Sequence, residues 1–115
     1  MYKRQVHKAL EVVKTRDTYS FDLIDLRTLC PLDKDAIINS VKKTGKAIIL
    51  QEDSMFGGLA SEISSIIMEN CFEYLDAPVI RVASLDTPIP FEKSLEDQYL
   101  PYDRFEIELD KLLNY

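Results

Sequence analysis

Histidine occurs once in this sequence, glycine three times, and the two cysteines stand far apart. A zinc centre draws about four His and Cys ligands at short spacings. With His7 alone and neither Cys30 nor Cys71 in a Cys-x-x-Cys pair, no such centre is expected. Apolar neighbours predict buried free thiols at both cysteines, and nothing demands an oxidising compartment. The dinucleotide fingerprint G-x-G-x-x-G, the phosphate loop and the G-x-S-x-G elbow are all missing. No apolar run approaches the roughly 20 residues of a membrane span. Met1 to Leu10 is basic and polar, without the apolar stretch of a secretory signal. Positive charge is also short: 14 Lys and Arg face 20 Asp and Glu, a formal net charge of −6. Nucleic acid selects basic patches, so this balance disfavours it as a partner. It suits a basic protein partner, and equally an ordinary acidic soluble domain.

A chain of 115 residues with 46% hydrophobic and 30% charged content reads as one globular domain able to bury a core without metal or disulfide staples. Val6, Ala9, Leu10 and Val13 fall on one helical face. Phe21 to Leu26 is a short, mostly apolar run, predicted as a buried strand interrupted by Asp22 and Asp25. Asp33 is the predicted N-cap of a second helix, which Gly45 stops after Lys42 and Lys43. Lys46 to Gln51 holds the continuous run Ala-Ile-Ile-Leu of a strand buried on both faces. Gly57-Gly58 opens a third helix over Leu59 to Leu75, and Pro78 precedes a strand over Val79 to Ala83. A proline-punctuated loop and a polar connection lead to a last amphipathic helix, Asp103 to Leu113. Helix and strand alternate throughout, which predicts an α/β fold: a three-layer αβα sandwich with a mainly parallel sheet.

Candidates for chemistry are sparse. Gly57-Gly58 lies where a helix N-terminus can hold an anion, but Glu52 and Asp53 just before it would repel one, so a tight structural turn is the stronger reading. The carboxylates Asp22, Asp25, Glu52, Asp53, Glu62 and Asp86 carry no spacing that makes two of them converge for acid–base work. Arg27 and Arg81 sit at or in strands, where a guanidinium can hold a carboxylate or phosphate; an ion pair with Asp25, Asp86 or a glutamate is favoured. His7 sits alone on an exposed helix side, beside no nucleophile. Ala60, Ser61, Ser64 and Ser65 form a helix face small enough for a close neighbour. Residue chemistry alone thus describes a domain without an active site.

Several ordered motifs are more specific. Ile24-Asp25-Leu26-Arg27-Thr28-Leu29, Pro31-Leu32-Asp33, Ser40-Val41-Lys42-Lys43-Thr44-Gly45, Gly57-Gly58-Leu59-Ala60-Ser61-Glu62-Ile63-Ser64, Asp76-Ala77-Pro78, Arg81-Val82, Asp86-Thr87-Pro88-Ile89-Pro90 and Tyr99-Leu100-Pro101 follow one another in sequence. Together they resemble the C-terminal domain of the beta subunit of thiamine-diphosphate-dependent 2-oxoacid dehydrogenases, a domain of the transketolase C-terminal type. The stretch Gly57 to Ser64 is more similar to the branched-chain (2-oxoisovalerate) enzymes than to the pyruvate enzymes. The resemblance implies a bacterial cytoplasmic enzyme that decarboxylates a 2-oxoacid oxidatively and acylates the lipoyl group of an acyltransferase. It places thiamine diphosphate and magnesium between the alpha part and the N-terminal beta domain, so this domain is expected to bind no cofactor and to be inactive alone. It implies as partners the alpha part, the N-terminal beta domain, a second beta copy and the basic peripheral binding domain of the acyltransferase. Gly57, Gly58, Ala60, Ser61 and Ser64 are the expected subunit-interface residues; Arg27, Glu62, Arg81 and Asp86 are expected in partner docking or structural ion pairs.

The resemblance also implies two strands before the helix at Val6 to Val13, which residues 1–115 do not supply. One of them belongs between the strands at Phe21 and Lys46. Those two strands are then expected to pair directly, to leave an open slot, or to borrow a strand from another copy, with self-association or low stability as the result. A concentration-independent monomer mass with a sharp thermal transition would count against this. Two other readings are a domain of another thiamine-diphosphate enzyme, of transketolase or deoxyxylulose-phosphate synthase type, and a free-standing interaction module. The Asp86–Pro90 loop and the Ala60–Ser64 helix disfavour the former. Coding sequence for a thiamine-diphosphate-binding region directly upstream would disfavour the latter.

Overall fold

In a computed structural model of the chain, residues 4–27 and 30–115 are described. The motif residues Thr28 and Leu29 lie outside them. Helix α1 (Arg4–Lys14) turns Ala9 fully inward, with Val6, Leu10 and Val13 half-buried beside it. Helix α2 (Lys34–Thr44) begins and ends where local chemistry dictates. The Asp33 carboxylate accepts from the Ala36 amide at 3.1 Å, and Gly45 closes the helix at φ 76° with its amide donating to the Val41 carbonyl at 2.8 Å. A residue with a Cβ is disfavoured at that φ, which is why glycine ends this helix.

Strand β1 (Ile48–Ser54) and strand β2 (Ile80–Ser84) pair in parallel, with Ile48 opposite Ile80 and Leu50 opposite Val82. Between them the chain crosses over through helix α3 (Leu59–Cys71) and a short 3₁₀ turn at Phe72–Tyr74. Helix α4 (Lys93–Tyr99) and helix α5 (Tyr102–Leu113) complete the chain.

Alternation along the strands sorts side chains into two clusters. Ala47 and Ile49 join Ile37, Val41, Ile63, Ile67 and Cys71 under α2 and α3. Ile48 and Leu50 join Ala9, Val82, Phe105 and Leu109 under α1 and α5. Helices therefore cover both sheet faces, and the architecture is the expected three-layer α/β sandwich around a parallel sheet.

Three expectations are corrected. Phe21 to Leu26 forms no strand: the segment has no regular structure, and among the described residues β1 pairs with β2 only. An extended segment becomes a strand only with a hydrogen-bonded neighbour, and here a cavity of about 380 Å³ separates this one from β1. Phe21 and Leu26 still pack, on opposite clusters, while Leu23 and Ile24 are exposed. The second correction is Cys30, which is exposed in the turn before α2, outside both clusters; Cys71 is buried as expected. Third, the connection before α5 contains α4, a short helix that buries only Tyr99.

Two ion-pair clusters tie the outer helices down. Arg16 grips Asp110 through Nε and a terminal nitrogen at 3.0 and 2.9 Å and reaches Glu106 at 3.2 Å. Asp22 accepts from Lys43 at 3.0 Å and from Ser40 at 2.9 Å. The Arg16 hydrogen bond lowers the Asp110 pKa below 3.8, and Lys43, then Ser40, do the same for Asp22. A carboxylate whose folded pKa is depressed stabilises the fold fully above its unfolded pKa and loses that stabilisation as pH falls through the folded value. Thermal melting should therefore be flat from neutral pH down to about pH 5 and decline below about pH 4. The double variant Asp22→Asn/Asp110→Asn should flatten that decline; an unchanged acid limb would contradict the pairing.

Candidate interaction site

The carboxyl ends of β1 and β2 carry the loops that face outward. In open parallel sheets this is the edge at which ligands and partners are met. After β1 come Phe56, 88% exposed, and Gly57. After β2 come Leu85, Asp86, Ile89 and Phe91, with Ile89 71% exposed and Phe91 fully exposed. Asp86 fastens the two loops together, its carboxylate accepting from the Phe56 amide at 2.9 Å. Arg104 holds the base of the second loop, donating to the Ala83, Tyr99 and Gln98 carbonyls at 2.7, 3.0 and 3.1 Å. The result is a pair of fixed loops presenting unburied Phe and Ile side chains. Large apolar side chains held in water on a rigid base mark an association surface better than a reaction centre.

The Gly57-Gly58 turn is built around Gln51. The Gln51 side chain donates to the Ser54 carbonyl at 2.9 Å and accepts from the Ala60 amide at 2.8 Å. One amide at the start of α3 is thus spent inside the chain, which weakens the anion reading of this turn. A Cβ on Gly58 would overlap the Gln51 amide and stand 2.6 Å from the Ser54 carbonyl. Gly58 and Ala60, two of the five expected interface residues, are buried within the chain. Their smallness lets α3 approach the sheet instead. Gly57 is exposed, and Ser61 and Ser64 are half-buried.

The charged candidates do not converge. Arg27 is 3.6 Å from Asp25, and its backbone at φ 49° donates to the same carboxylate at 3.4 Å. Arg81 donates to the Ser61 hydroxyl at 2.7 Å, rather than to Asp86, which holds Phe56. Glu62 is exposed in the first turn of α3, where its charge suits the helix dipole. His7 is exposed on α1. Among the described residues no three His, Cys, Asp or Glu side chains gather where one ion could be shared. Sequence reasoning missed Phe56, Ile89 and Phe91 as surface residues. Their signal was an aromatic directly before Gly57-Gly58 and apolar residues between or beside Pro88 and Pro90.

The model of the family "Transketolase, C-terminal domain" matches residues 2–104. The chain belongs to this family. It is 43% identical over 113 residues to the pyruvate dehydrogenase E1 component subunit beta of Rickettsia felis, covering 96% of this chain and 35% of the relative. It is 41% identical over 98 residues to the 2-oxoisovalerate dehydrogenase subunit beta of Bacillus subtilis, 83% of this chain and 30% of the relative. It is 39% identical over 100 residues to the acetoin:2,6-dichlorophenolindophenol oxidoreductase subunit beta of the same organism, 85% of this chain and 29% of the relative. The solved structure of a split-gene transketolase, an inactive beta4 tetramer, matches with a TM-score of 0.75 at 26% identity, over 95% of this chain and 35% of that one. The chain thus spans about a third of the length of the proteins it matches.

Proposed function

We propose that this chain is the assembly and docking domain of the E1 beta component of a 2-oxoacid dehydrogenase. The observation that carries the reading is 43% identity to such a subunit along 96% of the chain, in a fold whose most exposed apolar residues sit on braced loops. The thiamine diphosphate and magnesium of the enzyme lie outside this domain, which has no turnover alone. Its partners are the alpha part, the N-terminal beta domain, a second beta copy and the peripheral binding domain of the acyltransferase. The net charge of −6 complements the basic surface of that last partner and mainly speeds encounter. The tetramer formed by the solved relative is in keeping with assembly through this domain type. The free cysteines suit a reducing bacterial cytoplasm.

The finer reading is a branched-chain enzyme acting on 2-oxoisovalerate. Its support is the Gly57–Ser64 motif; identities of 43% and 41% to pyruvate and branched-chain subunits do not separate the two. Pull-down of the tagged chain with the cognate alpha part and N-terminal beta domain, and separately with the acyltransferase binding domain, tests the assembly role. Phe56→Ala/Phe91→Ala should weaken at least one of these associations about tenfold or more, the loss expected when exposed aromatic anchors are removed. Retention of none of these partners by the unsubstituted chain would overturn the reading.

A further inference from the structure

Strand β2 has an outer edge, on the side away from β1. The Ile80 amide donates to the Ala47 carbonyl at 3.1 Å. Residues of a parallel strand bond to alternate sides, so Ile80 and Val82 serve β1 while Arg81, Ala83 and Leu85 turn their amides and carbonyls outward. No strand pairs with them there among the described residues. The edge is nevertheless shut. Ala83 is 3% exposed, which a residue at a sheet edge reaches only under a cover. That cover is the end of α4. The Leu85 amide donates to the Tyr99 carbonyl at 3.1 Å. The Arg104 guanidinium donates to the Ala83 carbonyl at 2.7 Å and to the same Tyr99 carbonyl at 3.0 Å. In a parallel ladder one residue of a neighbouring strand would take that carbonyl and that amide together. Here Tyr99 supplies the acceptor. Arg104 supplies the donor, since the amide of a residue ending a helix is spent within the helix.

We propose that α4 is a removable cover on the outer edge of β2, with Arg104 as its catch, and that what it excludes is β2 of a second copy of this chain. The cover is removable because little holds it. Helix α4 is short and buries only Tyr99. Its last carbonyls, at Gln98 and Tyr99, are held by Arg104 from α5 and by the Leu85 amide. The edge underneath is self-complementary. Two β2 strands set antiparallel about Val82 would place Arg81 of each opposite Ala83 of the other, the isologous pairing of a two-fold axis. Each Arg81 amide would then donate to an Ala83 carbonyl, and each Ala83 amide to an Arg81 carbonyl. That register sets no like charges directly opposite one another, and Ile80 and Val82 suit a strand. Arg104 occupies the Ala83 carbonyl, the acceptor on which the pairing depends. A guanidinium at the edge is also a charge that an incoming strand must displace, and charge is a common guard of sheet edges. The proposal stands whether or not the chain serves a dehydrogenase.

Hydrogen exchange on the unsubstituted chain tests the cover. The Ala83 and Leu85 amides should exchange together, about tenfold or more faster than the Val82 amide, which faces β1 and waits for the sheet itself to open. Arg104→Met keeps much of the side-chain stem and removes the donors. By sedimentation at a series of concentrations, it should self-associate about tenfold or more tightly than the unsubstituted chain. Adding Arg81→Pro deletes an outward amide and spares the bonds to β1, and should return the association to that of the unsubstituted chain. Exchange of Ala83 and Leu85 at the Val82 rate would overturn the proposal and needs no variant. So would an Arg104→Met chain that is folded by circular dichroism and associates no more tightly, or one whose association survives Arg81→Pro. Should Arg104→Met fail to fold, the exchange comparison decides alone.

Discussion

Replacing Ile67 with alanine should lower the unfolding free energy by about 3 kcal/mol, near the middle of the range for emptying a buried aliphatic site. Ile67 is 2% exposed on α3, packed with Ile37, Val41, Ile63 and Cys71. It also borders the cavity beside β1, so the void left by truncation joins an existing one and neighbours on that side have nothing to collapse onto. Small domains have total stabilities of about 5–15 kcal/mol, so this loss is a large fraction. Urea titration should show a lower midpoint with an unchanged slope, the sign of a change in stability alone. Met68, the next residue, is 46% exposed, and Met68→Ala should change stability by no more than about 0.5 kcal/mol. Equal effects at the two positions would contradict the inward face assigned to α3.

Gly58→Ala should cost about 2 kcal/mol, the range for forcing extra volume into a filled site. Conformation is not the reason, since Gly58 sits at φ −78°. The cost has two parts: the Gln51 side chain must leave, taking its bonds to the Ser54 carbonyl and the Ala60 amide with it, and the Ser54 carbonyl, 2.6 Å from the new Cβ, must shift. Gly57→Ala poses the opposite problem: open space for the Cβ but φ 74°, a backbone penalty of about 1 kcal/mol. A double-mutant cycle separates the two. Truncating Gln51 to alanine removes the side-chain obstacle and leaves the Ser54 carbonyl, so Gly58→Ala should cost less in that background but still more than nothing. Additive losses would show that the Ser54 carbonyl, not Gln51, sets the cost. Because the same turn aims Phe56, Gly58→Ala should also weaken partner capture in the pull-down.

How much of this was legible in the sequence follows how local each interaction is. Asp33 and Gly45 bond within a few residues of themselves, and both ends of α2 read correctly. The α3 periodicity marked a helix buried on a defined face, and the Ala-Ile-Ile-Leu run marked a strand, though one whose side chains are half-buried rather than buried on both faces. Phe21 to Leu26 misread because strand formation depends on a neighbour in space that the segment's composition does not report. Helix α4 was missed because it has no side-chain N-cap and buries only Tyr99; the Arg104 bonds to its last carbonyls come from the following helix. At the site, the small residues Gly58 and Ala60 announced a close approach. That the approaching group is Gln51, from the preceding strand, needed coordinates. The exposure of Phe56 and Phe91 likewise depends on which faces the core consumes.

The assembly reading is tested most directly by complementation. An E1 preparation whose beta component lacks its C-terminal domain would be mixed with this chain, and reductive acylation of the lipoyl domain followed with pyruvate and with 2-oxoisovalerate. The expected result is no activity from the chain alone and restored acylation that saturates as the chain is added, together with a larger sedimenting species. Turnover of a 2-oxoacid by the chain alone, or a preparation that neither binds the chain nor gains activity from it, would contradict the account.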